Sequence, residues 1–136
     1  MKVGLYPMVA DVLHAGHVLA IEEARKNCDY LVVALHCYPE YKVPIQSVYE
    51  RFIQLRAVKW VDEVIPYHNK YDMKLLLESF KFDVYFLGED YKDKEYENSD
   101  VITSLGKEVC YLSRKHFLSS TELKTRITKH EMGGDI

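Results

Sequence analysis

The chain has 136 residues, 48% hydrophobic and 29% charged, with a formal net charge of -3. That length suits one domain built on one core, and the balance of apolar and charged residues excludes a disordered or fibrous chain. The negative charge gives no general attraction to nucleic acid or to an anionic membrane.

Strand-length apolar runs alternate with helical patterns. The runs are Lys2 to Tyr6, Tyr30 to His36, Glu63 to Pro66, Asp83 to Leu87 and Glu108 to Leu112. Such alternation predicts an α/β fold, a Rossmann-like three-layer sandwich around a five-stranded parallel sheet. Between the first two runs, Val18, Leu19, Ile21 and Ala24 form an apolar stripe beside Glu22 and Arg25, which predicts an amphipathic helix ending near Asn27-Cys28. A second helix is predicted over Val48 to Lys59, and a third over Met73 to Phe80 with Asp72 as its cap. Tyr91 to Asp100 is polar and aperiodic, so it reads as a loop leading to a short helix that stops at Gly106. Ser119-Ser120-Thr121-Glu122 has capping-box spacing and announces a last helix. One domain over residues 1–130 is expected, with 131–136 a fraying tail.

Cys28, Cys37 and Cys110 form neither a CxxC pair nor a metal-ligand spacing, so reduced thiols near the core and no protein-built metal site are expected. Met1-Lys2-Val3-Gly4-Leu5-Tyr6-Pro7 lacks the apolar core and cleavage site of a signal peptide, and no apolar run is long enough to cross a bilayer. The expected location is the cytoplasm.

Right-handed crossovers bring the loop after each strand to the carboxyl edge of the sheet, where open α/β folds bind ligands. Those loops run over 8–17, 36–46, 66–70, 88–94 and 113–119. The first holds His14-Ala15-Gly16-His17, two imidazoles three residues apart across a glycine, at the start of a helix. Helix-start amides bind anions, and two imidazole donors can stabilise charge on an attacked phosphorus and on its leaving oxygen. On spacing alone, a helix-start pair without a role and a two-histidine share of a metal site remain open.

The segment resembles the HxGH motif of the cytidylyltransferase superfamily, and the chain from Met1 to about Ile127 is similar to glycerol-3-phosphate cytidylyltransferases. Ordered support comes from Asp29-Tyr30-Leu31-Val32-Val33-Ala34, Ser47-Val48-Tyr49-Glu50-Arg51, Val61-Asp62-Glu63-Val64-Ile65-Pro66, Gly88-Glu89-Asp90-Tyr91 and Ser119-Ser120-Thr121. The resemblance implies transfer of CMP from CTP to a small phosphorylated alcohol by direct in-line attack, with release of pyrophosphate. It implies catalytic roles for His14, His17 and Lys42. Val9, Ala10, Asp11, Gly16, Arg51, Lys59, Gly88, Asp90, Arg114, Ser119, Ser120 and Thr121 would contact the nucleotide. Magnesium is expected to accompany the triphosphate, with phosphates and water as most of its ligands and Asp11 as one candidate contact. A homodimer is a further expectation of the resemblance.

The chain also departs from the pattern. Met8-Val9-Ala10 stands where the family usually has Gly-Thr-Phe, Lys59 where a second arginine is common, and Lys115-His116-Phe117 where Thr-x-Gly follows the arginine. Two alternatives therefore stand beside a CTP-using enzyme. One is a nucleotide-binding module without turnover; the other is an ATP-using adenylyltransferase, whose branch Tyr6-Pro7 resembles.

Overall fold

The computed structural model describes residues 1–113 and 118–133. Five strands, β1 (Val3–Met8), β2 (Tyr30–His36), β3 (Glu63–Tyr67), β4 (Val84–Gly88) and β5 (Glu108–Leu112), form one all-parallel sheet in the order β3-β2-β1-β4-β5. Helices α1 (Ala15–Lys26), α2 (Val48–Ala57), α3 (Lys70–Ser79), α4 (Ser99–Leu105) and α5 (Ser120–Glu131) connect and flank the strands, and a single 3-10 turn covers Glu89–Tyr91. This is the expected Rossmann-like α/β sandwich.

Helices on both faces require strands that are apolar on both faces. Along β2, Leu31, Val33 and Leu35 join one core with Ile21 and Ala24 of α1 and Leu55 of α2, while Val32 and Ala34 join the other with Met73 and Leu77 of α3. β4 divides likewise: Val84 and Phe86 enter the first core, Tyr85 and Leu87 the second. Gly4 lets the central strand lie against its neighbours, because a Cβ there would sit 2.4 Å from Phe86 Cε2 and 2.9 Å from Cys28 Sγ. All three cysteines are free thiols.

Several element ends differ from expectation, each for a local reason. Helix α1 begins at Ala15 because His14 is its cap. Helix α2 stops at Ala57, with Val58 extended at its C-cap. The cap of α3 is Asn69, whose side chain accepts from the amides of Tyr71 and Asp72, while Asp72 accepts from the amide of His68. Ser119 caps α5 by accepting from the Glu122 amide, but Glu122 turns its carboxylate to Arg126 Nε at 3.0 Å instead of reaching back. Gly106 ends α4 in the left-handed region as expected, and α5 carries the chain to Glu131.

β1 runs on to Met8 through Pro7, and this opens the sheet. Asp83 donates its amide to Val3 O, so the odd-numbered residues of β1 face β4. Pro7, of the same parity, has no N–H to offer on that side. Pairing with β4 covers Gly4 and Leu5 alone, whereas pairing with β2 continues to Met8. The strands part at the point where the strand order reverses, the place where such sheets hold ligands.

Candidate active site

A cleft of about 370 Å³ lies over this parting. Its lining includes Val9, Ala10, Asp11, His14, Gly16, His17, Lys42, Gly88, Ser119, Ser120 and Thr121, eleven of the residues expected at a site. Arg51, Lys59 and Asp90 are not in that lining. Arg114 and the Lys115-His116-Phe117 departure lie outside the described residues.

The two histidines lock each other. His14 Nδ1 accepts from the Gly16 amide at 2.9 Å, and His17 Nδ1 accepts from the His14 amide at 3.1 Å, a capping box made of imidazoles. A backbone N–H can only donate, so Nδ1 of each ring must carry a lone pair, and the proton of each neutral ring sits on Nε2. The ring centroids are 4.1 Å apart. Gly16 permits this: a Cβ there would meet His14 Cε1 at 2.7 Å and the Leu118 Cβ at 3.0 Å. The motif therefore presents two Nε2 edges at a helix N-terminus, a donor arrangement suited to phosphate oxygens. The N-terminal turn of α5 joins the same wall through Ser119, Ser120 and Thr121.

Asp11 is the rivet behind this wall. It is 2% exposed and accepts from the amides of Ile45 and Gln46, both at 3.0 Å, and from Lys124 Nζ at 3.2 Å. Burial alone would raise its pKa, but the two amides and the Lys124 ammonium together hold it below the ordinary value of 3.8. Ser120 donates its hydroxyl to Asp11 O at 2.9 Å, and Gln46 Oε1 accepts from the Val12 amide at 2.8 Å. Ala10 and Val12, flanking Asp11, both have left-handed backbones, with φ of 56° and 52°. For a β-branched residue that conformation costs about 1–3 kcal/mol and persists only where neighbours enforce it. The bonds at Asp11 and Gln46 supply that enforcement. Protein donors thus take three of the roughly four acceptor sites of the Asp11 carboxylate. No group of three or more His, Cys, Asp or Glu among the described residues is arranged to hold a metal ion.

Arg51 has a different place from the one expected. It is 2% exposed and donates to the carbonyls of Val9 (3.1 Å), His36 (2.9 Å), Cys37 (2.7 Å) and Gln46 (3.2 Å). Four of its five N–H groups are spent on protein, so it ties the ends of β1 and β2 together beneath the cleft. Lys59 lies beyond the end of α2 with its ammonium 4.5 Å from the Trp60 ring centroid. Lys42 does line the cleft, and its pKa is lowered by burial first and then by Lys124 and Arg51, against Asp11. A wall that crowds ammonium groups in this way favours an anion beside it.

Sequence reasoning missed Lys124, Gln46 and a second wall. Lys124 stands four residues after Ser120 on α5, one turn along the same face, and that spacing was the available signal. The second wall holds His36, Tyr41, Tyr67, Tyr85, Tyr91, Tyr96 and Glu97. His36 stacks on Tyr67 at 4.7 Å between centroids, and its pKa is lowered by burial and by Arg51.

The cytidylyltransferase-like family model matches residues 5–126. The chain belongs to the cytidylyltransferase-like family. It is 33% identical over 121 residues to the glycerol-3-phosphate cytidylyltransferase of Bacillus subtilis (strain 168), covering 86% of this chain and 90% of that one. It is 32% identical over 119 residues to the bifunctional protein HldE of Photorhabdus laumondii subsp. laumondii, matching 83% of this chain but 25% of the larger protein. Among solved structures, the lipopolysaccharide core biosynthesis protein of Thermoplasma volcanium GSS1 superposes with a TM-score of 0.68 at 32% identity, over 83% of this chain and 95% of that one. The pantoate-beta-alanine ligase of Francisella tularensis gives 0.61 at 16% identity, over 98% of this chain and 72% of that one, a likeness of fold. The family and the glycerol-3-phosphate cytidylyltransferase relative support nucleotidyl transfer as the general chemistry of this chain.

Proposed function

We propose that the protein transfers CMP from CTP to a small phosphorylated alcohol, glycerol 3-phosphate or a similar polyol phosphate, and releases pyrophosphate. The observation that carries this reading is the histidine capping box, which sets two Nε2–H donors beside the N-termini of α1 and α5. The acceptor's phosphate oxygen attacks the α-phosphorus in line, the bond to the bridging oxygen of pyrophosphate breaks, and no covalent enzyme intermediate forms. The imidazoles stabilise the charge on the pentacoordinate phosphorus, and Lys42 neutralises phosphate charge beside them. Magnesium enters with the triphosphate, held mainly by phosphates and water. A homodimer in the cytoplasm completes this reading.

The test is pyrophosphate release from CTP and, in parallel, from ATP, with magnesium and a panel of phosphorylated alcohols. Release with CTP, at higher kcat/KM than with ATP, is the expected result. No release from folded protein with any acceptor would defeat the reading, and a preference for ATP would convert it to adenylyl transfer.

A further inference from the structure

The start of α5 forms part of the cleft wall, yet no residue of this helix is fully buried. A helix of a globular protein ordinarily docks by burying an apolar stripe, and α5 leaves Ile127 50% exposed. Polar bonds stand in for the missing stripe. Among the described residues, the two hydrogen bonds that α5 sends to the rest of the chain both end on Asp11: Ser120 Oγ donates to its carbonyl oxygen at 2.9 Å, and Lys124 Nζ to Oδ2 at 3.2 Å. Ser120 and Lys124 are one turn apart, so a single face of the helix makes both.

The same carboxylate accepts from the amides of Ile45 and Gln46, which follow Lys42 in the loop after β2, and Asp11 itself lies just ahead of His14. One buried side chain thus joins the histidine loop, the Lys42 loop and the helix start with Ser119, Ser120 and Thr121, the segments that face phosphate in the proposed reaction. Lys124 is outside the cleft lining and reaches the site through Asp11. Without its ammonium, the docked helix would lie over a buried carboxylate stripped of the counter-charge bonded to it, an arrangement that low-dielectric surroundings penalise. Undocking relieves this by returning the carboxylate to water.

Resting on the proposed nucleotidyl transfer, we infer that Lys124 is a positioning residue: through Asp11 it keeps the start of α5 docked on the cleft and so sets the affinity for the nucleoside triphosphate. A site competent only with α5 docked loses apparent affinity in proportion to the docked fraction, and regains its turnover once nucleotide is saturating. The signature is a raised KM with kcat little changed.

Calorimetry with magnesium and a non-hydrolysable analogue of CTP or of ATP, whichever the wild type binds more tightly, tests this without turnover. Lys124→Met should weaken binding by about tenfold, and Lys124→Arg, which keeps the charge, should stay within about threefold of wild type. In an Asp11→Asn background, Lys124→Met should add less than about twofold, because the bond it removes no longer joins two charges. In pyrophosphate release, KM for the triphosphate should rise with Kd while kcat stays within about threefold. Unchanged affinity in Lys124→Met would overturn the inference, as would a fall in kcat at unchanged KM or an arginine variant as weak as the methionine one. Full weakening by Lys124→Met in the Asp11→Asn background would overturn it too, since Lys124 would then act on the phosphates directly. The expected affinity pattern in a protein that releases no pyrophosphate would sink the transfer reading alone, and wild-type protein that binds neither analogue would overturn both.

Discussion

The two walls of the cleft are built in opposite ways. On the α1 and α5 side, polar groups are already satisfied by the protein: His14 and His17 cap a helix, Ser119 caps another, and Asp11 is bound by two amides and an ammonium. On the α3 and α4 side, the phenols of Tyr67 and Tyr85 are buried and have no hydrogen-bond partner among the described residues. A wall satisfied in advance keeps its geometry whether or not ligand is present, which suits electrostatic stabilisation of a transition state. A wall with open hydrogen bonds discriminates, because a ligand lacking the matching groups leaves them unpaired.

Arg51 is where the two walls can be broken together, since it binds Val9 on one side and His36 and Cys37 on the other. Arg51→Met should cost about 4 kcal/mol of stability in urea unfolding, because several buried carbonyls lose their donor at once. A loss under about 1 kcal/mol would show that the carbonyls find other partners.

His14→Ala and His17→Ala break one wall only. Each should lower kcat for pyrophosphate release by about 100-fold or more, with the far-ultraviolet circular dichroism unchanged and acceptor affinity reduced far less. Loss of acceptor binding of the same size would show that the walls do not divide the work.

Gly16→Ala is a subtler blow to the same wall. The added methyl meets His14 Cε1, so the ring must turn and the imidazole capping box must loosen. Turnover should fall by about tenfold, from misplacement of a donor that is still present. Wild-type rates in this variant would show that the ring's position is not critical.

These contrasts also explain what could be read from the chain beforehand. The satisfied wall comes from short segments, His14-Ala15-Gly16-His17 and Ser119-Ser120-Thr121, whose chemistry is visible because local spacing fixes which groups meet. The strands were legible for a similar reason: burial on both faces leaves short, nearly continuous apolar runs. The tyrosine wall is assembled from β2, β3, β4 and the two connections that follow β2 and β4, and each tyrosine taken alone is an ordinary core or surface residue. Arg51 was legible as important, but its partners are backbone carbonyls distant in sequence, which side-chain identity does not encode. Asn69 and Asp72 share the start of α3, and the pattern alone does not say which of them takes the cap.

The smallest expected effect separates the walls by pH. His36 belongs to the tyrosine wall and has a lowered pKa from burial and from Arg51, with Glu40 opposing. As pH falls below the ordinary histidine value of 6.5, the unfolded chain takes up a proton that the folded protein resists, so stability declines until the lowered folded pKa is reached. Asp11 belongs to the histidine wall and has a lowered carboxyl pKa, so its contribution is complete above 3.8 and is lost only as pH falls below that value toward the folded pKa. Urea unfolding measured across pH should therefore show two separate acid losses, the upper from His36 and the lower from Asp11. His36→Gln should flatten the upper one and Asp11→Asn the lower. A single loss abolished by either substitution would mean that the two walls titrate as one unit, and the division between a wall for chemistry and a wall for choice would have to be redrawn.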